Sequence, residues 1–492
     1  MIGCRNYHDF WDRRMLDYKL KEYAQSNIYP FHMPGHKRKL TADMDAYAID
    51  ITEIDGFDNL HHAEDIIKEA QQRAADLYGV KKSYYLVNGS TCGLLAAICA
   101  ATERRGEILV ARNCHKAVYH SIYLQELTPH YLYPDITQEG IACAIKSSAV
   151  KKALEDYPNV QAVLVTSPTY DGVVSDIAEI AEVVHENGIP LIVDEAHGAH
   201  FGLTEQLWYE NDSSEHSRMF PDSAAHCGAD LVIQSLHKTL PSLTQTALLH
   251  ICTDRALEKE VERYLDIFET SSPSYVFMAG MERCIRMMAE DGEMLLNRLR
   301  QNLHAFCEKM KELKHLRLLT AKDFLAGRAY DFDTSKILIY TGNTNITGKE
   351  LYDRLLKEYG LQLEMASGNY ALAIASVMDT KDGFDRLAEA LFEIDETVVC
   401  SDEETFPIIY TPQEQICSLS EAIDGAHELL SLEAAKDRVA ADYIYLYPPG
   451  IPLLAPGERI TQKIIDDICA CREVGFTVHG LLPDNRIEVV NF

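Results

Sequence analysis

The sequence predicts an α/β protein built on a mainly parallel β-sheet, and three features of it support that prediction. Short apolar runs recur between residues 79 and 252, separated by segments with helical periodicity. The runs are continuous rather than alternating, as expected for strands covered on both faces. Polar, chemically capable residues follow each run. Because ligands of open α/β sheets bind outside the carboxyl ends of the strands, a functional site is expected among these polar residues.

The individual elements of this sheet can be recognised in chain order. A helix is predicted from Asp176 to Glu186, which has an acidic first turn and is followed by Asn187-Gly188 and then Pro190. The strands are predicted from five apolar runs, Tyr84–Val87, Ile108–Val110, Ala162–Val165, Leu191–Val193 and Leu231–Ile233.

The chain is too long for one hydrophobic core, since single cores stop growing near roughly 250 to 300 residues. We predict an N-terminal segment 1–48, a large domain 49–290 that carries the site, a small α+β domain 291–400 and a C-terminal α+β domain 401–492. A charged helical stretch from about 280 to 313 links the second and third parts, and an acidic run at 402–404 begins the last. The polar stretch 204–222 is interpreted as an insertion in a surface loop.

Charge and cysteine content exclude several classes of protein. The formal charge is 46 minus 76, or -30, which disfavours binding to nucleic acid and to anionic membrane surfaces. No apolar run approaches the length of a membrane span. The thirteen cysteines include no C-x-x-C pair, and the N-terminus lacks the apolar segment of a signal peptide. A cytoplasmic protein with reduced thiols is therefore expected.

Two strand ends carry the residue types that pyridoxal phosphate (PLP) requires. Asp194 follows Leu191–Val193, and Lys238 follows Leu231–Ile233 after a short turn. A desolvated lysine reacts as an amine, and a buried carboxylate can keep a pyridine nitrogen protonated. Each residue alone has an ordinary alternative, a solvent-exposed lysine or a helix-capping aspartate. Their combination is what favours PLP.

A third strand end suits a phosphate group. Gly89, Ser90 and Thr91 stand between the run Tyr84–Val87 and an apolar helix. Such a turn offers backbone N–H groups and the positive end of the helix dipole to an anion. An ordinary helix N-cap is the alternative. The pattern G-x-x-x-x-G-K-[ST] of a nucleoside triphosphate loop is absent.

Histidines lie close to the same strand ends. His115 follows the run Ile108–Val110, where its ring could lie flat on a planar cofactor, although a structural histidine is the alternative. His197 and His200 have the spacing of a metal pair, but no third ligand accompanies them at a recognisable spacing. No metal site is therefore expected.

Taken together, these segments resemble the Orn/Lys/Arg decarboxylase family, in both its major and its C-terminal domain. The resemblance covers nearly the whole chain from about residue 28, and the chain looks like the shorter form that lacks the N-terminal wing domain. The segments that carry it are Phe31–Lys37, Asn88–Thr91, Asn113–Lys116, Asp194–His200, Ser235–Lys238, Thr270–Tyr275 and Tyr447–Glu458.

The resemblance implies a fold-type I PLP enzyme, similar in architecture to aspartate aminotransferase, and it assigns roles by position. Lys238 would form the Schiff base, Asp194 would pair with the pyridine nitrogen, His115 would stack on the ring, and His197 would lie near the phenolic oxygen. Leu236 departs from the small or hydroxyl residue expected there. The residues expected around the phosphate are Gly89, Ser90, Thr91, Ser235 and His237.

The resemblance also implies a homodimer or higher homo-oligomer whose active site is shared between subunits. Ser271 or Ser272 would reach the phosphate from the neighbouring subunit. The implied reaction is decarboxylation of a basic amino acid, arginine favoured and then lysine or ornithine, to the amine and carbon dioxide in polyamine metabolism. Protonation of the α-carbon would come from Lys238 or His237.

Two other functions were weighed against this one. An aminotransferase or aldolase of the same fold is the alternative, but the candidate strand Tyr370–Ser376 carries no arginine to clamp a substrate carboxylate. A non-catalytic relative is disfavoured because Lys238 and Asp194 are both present. The cationic end of the substrate needs a carboxylate, and the acids nearest to motif segments are Glu458, Asp55, Asp58 and Glu364.

Overall fold

The computed structural model describes residue 20 and residues 23–39, 45–203, 220–325, 327–401, 412–446, 451–473 and 478–492. Its helices are α1 Ile66–Tyr78, α2 Gly89–Ala101, α3 Lys116–Gln125, α4 Ser147–Asp156, α5 Ile177–Glu186, α6 Leu236–Thr239, α7 Glu258–Phe268, α8 Tyr275–Met310, α9 Ala321–Phe324, α10 Gly348–Tyr359, α11 Lys381–Asp395, α12 Leu419–Asp424 and α13 Gln462–Glu473.

The strands in the first half of the chain are β1 Tyr29–Phe31, β2 Lys82–Leu86, β3 Glu107–Ala111, β4 Thr128–Leu132, β5 Val160–Thr166, β6 Val173–Val174, β7 Leu191–Asp194, β8 Leu231–Gln234 and β9 Ala247–Ile251. Those in the second half are β10 Arg317–Leu319, β11 Asp331–Phe332, β12 Lys336–Tyr340, β13 Leu361–Leu363, β14 Met365–Ala366, β15 Tyr370–Ile374, β16 His427–Ser431, β17 Ile444–Leu446, β18 Ile451–Leu454, β19 Val478–His479 and β20 Arg486–Val490.

A seven-stranded sheet with the order β2-β9-β8-β7-β5-β3-β4 forms the centre of the molecule. Strands β8, β7, β5, β3 and β4 pair in parallel, whereas β9 runs antiparallel to both of its neighbours. Apolar clusters cover the sheet on both faces, which is why its strands read as continuous apolar runs. The predicted α/β fold with a mainly parallel sheet is confirmed, and each of the five predicted runs forms a strand.

Two strands of this sheet were missing from the sequence prediction. β4, Thr128–Leu132, contains a proline and lies at the edge of the sheet, where most of its side chains are only partly buried. An edge strand needs no continuous apolar run, so its pattern is weak. β9, Ala247–Ile251, is fully buried and pairs antiparallel to β8.

The second half of the chain builds smaller sheets. An antiparallel sheet of order β10-β12-β15-β14 follows the large one, and β18-β17-β19 and β16-β20 form after residue 412. The 36-residue helix α8 passes without interruption through the domain boundary predicted at 290, because its apolar stripe packs along its whole length into one core. β1 pairs with β13, so the predicted N-terminal segment is joined to the predicted small domain.

Three predicted features extend into residues that the structure does not describe. The insertion predicted at 204–222 is described only from residue 220 onwards, the acidic run at 402–404 lies outside the described residues, and the segment Tyr447–Glu458 is described only from residue 451 onwards. Among the helices that the structure does describe, none is long and apolar enough to cross a membrane.

A buried chain of polar groups runs across the large sheet through β9. His250 lies with Nδ1 2.8 Å from the Ser83 hydroxyl and Nε2 3.1 Å from the Gln234 side-chain oxygen, and the Gln234 amide donates to Glu195 at 2.6 Å. These contacts satisfy polar groups on three neighbouring strands and at the end of β7. Glu195 directly follows Asp194, so the chain of contacts helps to fix the end of that strand.

Burial of His250 predicts a loss of stability in acid. Burial, and to a smaller extent His226, lower the pKa of His250 from 6.5 to about 3. The unfolded chain therefore binds this proton first, and the contribution to stability that is present above pH 6.5 is lost as the pH falls towards 3. We expect the melting temperature of His250→Gln to fall less steeply than that of the parent between pH 6.5 and about 4. Melting temperatures that fall equally with pH in the two proteins would contradict this.

Candidate functional site

Lys238 lies in the short helix α6, which directly follows the carboxyl end of β8. Its Nζ is 3.2 Å from Nε2 of His197. Burial lowers the pKa of Lys238, and Asp194 opposes that effect. The structure thus places an amine of reduced basicity at the edge of the sheet where a ligand is expected, as a Schiff-base lysine requires.

Asp194 is the last residue of β7, the strand next to β8, and is only 3% exposed. The Ala196 N–H donates to its Oδ1 at 3.2 Å. Burial raises the pKa of this carboxyl, whereas Lys238 lowers it. A desolvated carboxylate is stabilised by a cation, so Asp194 provides a place for a protonated ring nitrogen.

His115 is the N-cap of α3, just beyond the end of β3. Its Nδ1 accepts a hydrogen bond from the Ala117 N–H at 3.2 Å, which fixes the ring and leaves the proton of the neutral ring on Nε2. Burial and then Lys238 lower the pKa of His115 to about 3, so the ring is neutral at physiological pH. A neutral flat ring held in one orientation is suited to stacking on a planar cofactor.

The predicted phosphate turn lies at the N-terminus of α2, directly beyond β2. Gly89 has a φ of +74°, a conformation that glycine adopts without the strain of a side chain. The Ser90 hydroxyl lies 2.6 Å from that of Ser235, which joins this turn to the residue before α6. Thr91 is exposed on the first turn. Because the first N–H groups of a helix have no partner within the helix, the turn can bind an anion.

Two residues that were not predicted from the sequence form hydrogen bonds with the backbone just before this turn. Glu269 accepts a hydrogen bond from the Val87 N–H at 2.8 Å, and the Gln245 amide donates to the Val87 carbonyl at 2.6 Å. Burial raises the pKa of Glu269 to about 7. Both residues are more than 150 positions from Val87 in the sequence, so no local sequence pattern predicts these contacts.

Two histidines lie close to the reactive lysine, since His237 directly precedes it in the sequence and His197 is 3.2 Å from its amine. His237 has Nδ1 3.0 Å from the Thr246 carbonyl oxygen, which can only accept, so Nδ1 carries the proton. Burial lowers the pKa of His237 to about 4. The His197 ring packs against Tyr170 with centroids 4.6 Å apart, and its buried Nδ1 has no hydrogen-bond partner among the described residues.

Glu364 is the one proposed substrate carboxylate that the structure associates with Lys238. It follows β13 and raises the pKa of Lys238, an effect that depends on proximity. Tyr170 donates its hydroxyl to Glu364 Oε1 at 2.6 Å, and the Met33 N–H donates to Oε2 at 2.8 Å. Neither Tyr170 nor the Met33 contact was predicted from the sequence.

The segment around Met33 is bound directly to the helix that carries the lysine. The Gly35 N–H donates to the His237 carbonyl at 2.7 Å, and a Cβ on Gly35 would lie 2.7 Å from the Leu240 carbonyl oxygen. Only glycine permits this close approach. The sequence motif Phe31–Lys37 therefore packs over α6, and it connects that helix with Glu364.

The structure contradicts the expectation that Glu458 binds the substrate. Its carboxylate is 0% exposed and accepts hydrogen bonds from Arg112 at 3.2 Å and from the Ala455 N–H at 2.8 Å. A buried carboxylate that is already paired with an internal cation is not available to bind the cationic end of a substrate. Nearness to a motif in the sequence was the only reason for choosing it.

The two aspartates near residue 55 also differ from what was expected. Asp58 uses its carboxylate to accept from the backbone N–H groups of Glu64, Asp65 and Ile67, so it stabilises the start of α1. Asp55 lies exposed in a turn, and no contact joins it to the Lys238 site among the residues that the structure describes.

The remaining predicted positions are not at the centre of the site. Ser271 and Ser272 are exposed in the connection that leads to α8. Leu236 is fully buried in the apolar core under α6, which accounts for its departure from a hydroxyl residue. Through the described parts of the chain, no group of three or more potential metal ligands is assembled, and His200 lies 3.2 Å from Asp333 instead.

These residues fit PLP on chemical grounds. The site combines an amine of lowered pKa, a buried carboxylate that lacks a strong internal cation other than that amine, and an anion-binding helix terminus with two hydroxyl groups. The buried and unpartnered Nδ1 of His197 is a further polar atom that a bound group could satisfy. These are the three features that the imine, the ring nitrogen and the phosphate of PLP would require.

Comparison with known proteins gives an independent result. The family model "Orn/Lys/Arg decarboxylase, major domain" matches residues 16–328, and "Orn/Lys/Arg decarboxylase, C-terminal domain" matches residues 403–484. The chain is 31% identical over 471 residues to the arginine decarboxylase of Halalkalibacterium halodurans, covering 93% of each protein.

Solved structures show the same fold at lower sequence identity. The lysine decarboxylase LdcF of Francisella novicida superposes with a TM-score of 0.77 at 19% identity, over 96% of this chain and 80% of that one. Alanine–glyoxylate aminotransferase from Nostoc sp. superposes with a TM-score of 0.53 at 15% identity, over 67% of this chain and 86% of that one. The fold is that of the fold-type I PLP enzymes.

Proposed function

We propose, since this chain belongs to the Orn/Lys/Arg decarboxylase family, that it removes the α-carboxyl group of a basic amino acid with PLP held by Lys238. The observation that carries the proposal is the placement of Lys238, Asp194 and His115 at the carboxyl ends of β8, β7 and β3 in the same sheet, each with a pKa that burial and nearby charges shift. Arginine is the favoured substrate because the relative at 31% identity is an arginine decarboxylase.

The residues of the site divide the chemical tasks between them. PLP, when bound, supplies an electron sink for the carbon–carbon bond that breaks. Asp194 would keep the ring nitrogen protonated, and Ser90, Ser235 and the N-terminus of α2 would hold the phosphate. His115, neutral and fixed by the Ala117 N–H, would cover one face of the ring and exclude water from it.

Lys238 is better suited than His237 to deliver a proton to the α-carbon. Nδ1 of His237 is engaged with the Thr246 carbonyl, and the pKa of about 4 leaves Nε2 without a proton near neutral pH. The Lys238 amine, when not bonded to PLP, would carry protons that it could donate, and the short helix α6 would hold it at the site.

Decarboxylation is favoured over transamination by one feature of the fold. β15, Tyr370–Ile374, lies in the antiparallel sheet of the second half of the chain and contains no arginine. The α-carboxylate therefore has no guanidinium from this strand to hold it in the plane of the cofactor. A carboxylate that is not clamped can stand perpendicular to the ring, the orientation in which its bond to the α-carbon breaks.

The reaction class can be tested directly on the purified protein. Incubation with PLP and arginine, lysine or ornithine in turn should release carbon dioxide and the matching amine, with arginine giving the highest kcat/KM. Appearance of a keto acid or an aldehyde would instead identify the aminotransferase or aldolase alternative. The absence of product from all three amino acids would refute the proposed substrate class.

Glu364 is proposed to bind the cationic end of the substrate. We expect Glu364→Gln to lower kcat/KM by roughly 10- to 100-fold, mainly through KM, because a charge-assisted hydrogen bond is replaced by a neutral one. Asp55→Asn, which removes an exposed acid from a turn, serves as the matched control and should leave both constants unchanged. Equal KM values for the Glu364 variant and the parent would exclude this role.

A second subunit is proposed to complete the site. The exposed Ser271 or Ser272 would reach the phosphate of a neighbouring subunit, as the family resemblance implies. Assembly as a homodimer or a higher homo-oligomer then follows from the need to supply these groups.

A further inference from the structure

A buried ion pair connects the end of β3 with the segment that precedes α13. The Arg112 and Glu458 side chains are 3% and 1% exposed, and the guanidinium donates to both carboxylate oxygens at 3.3 and 3.2 Å. The Ala455 N–H also donates to Glu458 at 2.8 Å. Arg112 lies in the large-domain part of the chain and Glu458 in the C-terminal part, so the pair joins the regions that match the two different family models.

The guanidinium makes further bonds on both sides of this junction. It donates to the Pro452 carbonyl at 2.8 Å and to the Tyr119 hydroxyl at 2.6 Å. The Tyr119 hydroxyl in turn donates to the Arg112 carbonyl at 3.1 Å. The side chain and the main chain of Arg112 are therefore fixed by the same set of contacts.

Apolar packing leads from the same junction to His115. Leu419 and Ala455 of the C-terminal part share a core cluster with Val118 and Ile122, which lie on α3. The first residue before α3 is its N-cap, His115. Arg112 is thus only three residues from the ring that covers the proposed cofactor site, and it is held by contacts from the C-terminal part.

Stability alone does not account for a buried pair of this kind. A buried ion pair often contributes no more than well-packed apolar side chains would, because both charges lose their hydration. What the pair does supply is a fixed geometry, since its bonds form in only one arrangement of the two regions. The arrangement that it fixes is that of the turn carrying His115.

We propose that Arg112 is a positioning residue. Through it, Glu458 and the C-terminal part of the chain fix the conformation of the turn from Arg112 to His115. That conformation determines where the His115 ring lies over the cofactor. This inference rests on the proposed function for its consequence in catalysis, but not for the structural coupling itself. The C-terminal part then acts on the reaction without touching substrate or cofactor.

The coupling can be measured without cofactor or substrate. Glu458→Gln keeps the size of the side chain and removes its charge. We expect the backbone amides of residues 113–118 to exchange hydrogen about tenfold faster in this variant than in the parent. Tyr123→Phe is the control. The Tyr123 hydroxyl donates to Asp424 at 2.8 Å, so this substitution removes a different, exposed contact between α3 and α12. Exchange at 113–118 should be unchanged in the control.

The catalytic consequence is measured on the same proteins loaded with PLP. We expect Glu458→Gln to lower kcat by up to about 10²-fold, with KM for the amino acid within about threefold of the parent, because a small displacement of a ring over the reacting centre costs rate rather than binding. The visible circular dichroism of the bound cofactor should change as well. Tyr123→Phe should match the parent in all three measurements.

Other outcomes are equally informative. Exchange and kcat that are unchanged in folded Glu458→Gln would overturn the proposal. If that variant does not fold, Arg112→Lys keeps the charge but cannot reproduce the forked contacts, and parent-like exchange and kcat in this second variant would overturn it instead. If the parent decarboxylates none of the three amino acids but exchange at 113–118 is still faster in Glu458→Gln than in the parent, the coupling stands and only the proposed function is refuted.

Discussion

Replacement of Lys238 by alanine is expected to abolish decarboxylation, with kcat reduced by at least about 10⁴-fold, as when a residue that bonds covalently to the reacting group is lost. Lys238 lies just beyond the carboxyl end of β8, and burial lowers the pKa of its amine, which favours its reaction as a nucleophile. In the proposed reaction it both holds the cofactor and returns a proton to the α-carbon, so its loss removes two functions at once.

Borohydride reduction provides the measurement that locates the cofactor. Reduction of the holoenzyme followed by peptide mapping should place the pyridoxyl group on Lys238, and Lys238→Ala should take up no label. Lys81→Ala is the matched control, since Lys81 is an exposed residue that pairs with Asp254 on the surface. It should keep full activity and the label on Lys238. A label on another lysine of the parent protein would refute the assignment on which the mechanism depends.

The sequence was informative about this site because of how parallel sheets are built. In such a sheet the carboxyl ends of neighbouring strands meet at one edge, so polar residues that follow apolar runs must come together even when they are far apart in the chain. Asp194, Lys238, His115 and Ser90 were each found in this way: Asp194 is the last residue of β7, and the other three each lie four residues after the end of a strand of the central sheet.

Contacts that depend on packing between distant segments could not be predicted. Tyr170 binds Glu364 across 194 positions, Met33 binds it across 331, and Arg112 binds Glu458 across 346. A linear pattern contains no signal for such pairs, since their geometry is fixed only when separate elements pack together. Glu458 was misassigned for this reason. Its neighbours in the sequence indicated a functional segment, but its partner was an arginine in another part of the chain.

The direction of β9 illustrates the same limit for the fold. Its apolar sequence is compatible with either direction, and only its hydrogen bonds to β8 and β2 reveal that it is antiparallel. The connection from β8, residues 235–246, does not decide between the two directions, since a parallel crossover needs roughly a dozen residues or more.

Asp194→Asn is expected to lower kcat by about 10²- to 10³-fold, the range found when one group that stabilises developing charge is removed. The amide keeps the shape of the carboxyl and can still accept from the Ala196 N–H, so the end of β7 should remain folded. What it loses is the negative charge that would keep the ring nitrogen protonated. Without that charge the cofactor accepts electrons poorly, and the carbon–carbon bond has no efficient way to break.

The adjacent carboxyl provides a stringent control for the charge at 194. Burial raises the pKa of Glu195 to about 7, so this group is already partly neutral at physiological pH, and its hydrogen bonds to Ser223 and Gln234 tie it to the protein. Glu195→Gln should therefore change kcat by less than about tenfold. The opposite result would be that Asp194→Asn loses no more activity than Glu195→Gln. In that case a negative charge beside the ring nitrogen would not be required for the reaction, and the role proposed for Asp194 in keeping the ring nitrogen protonated would be refuted.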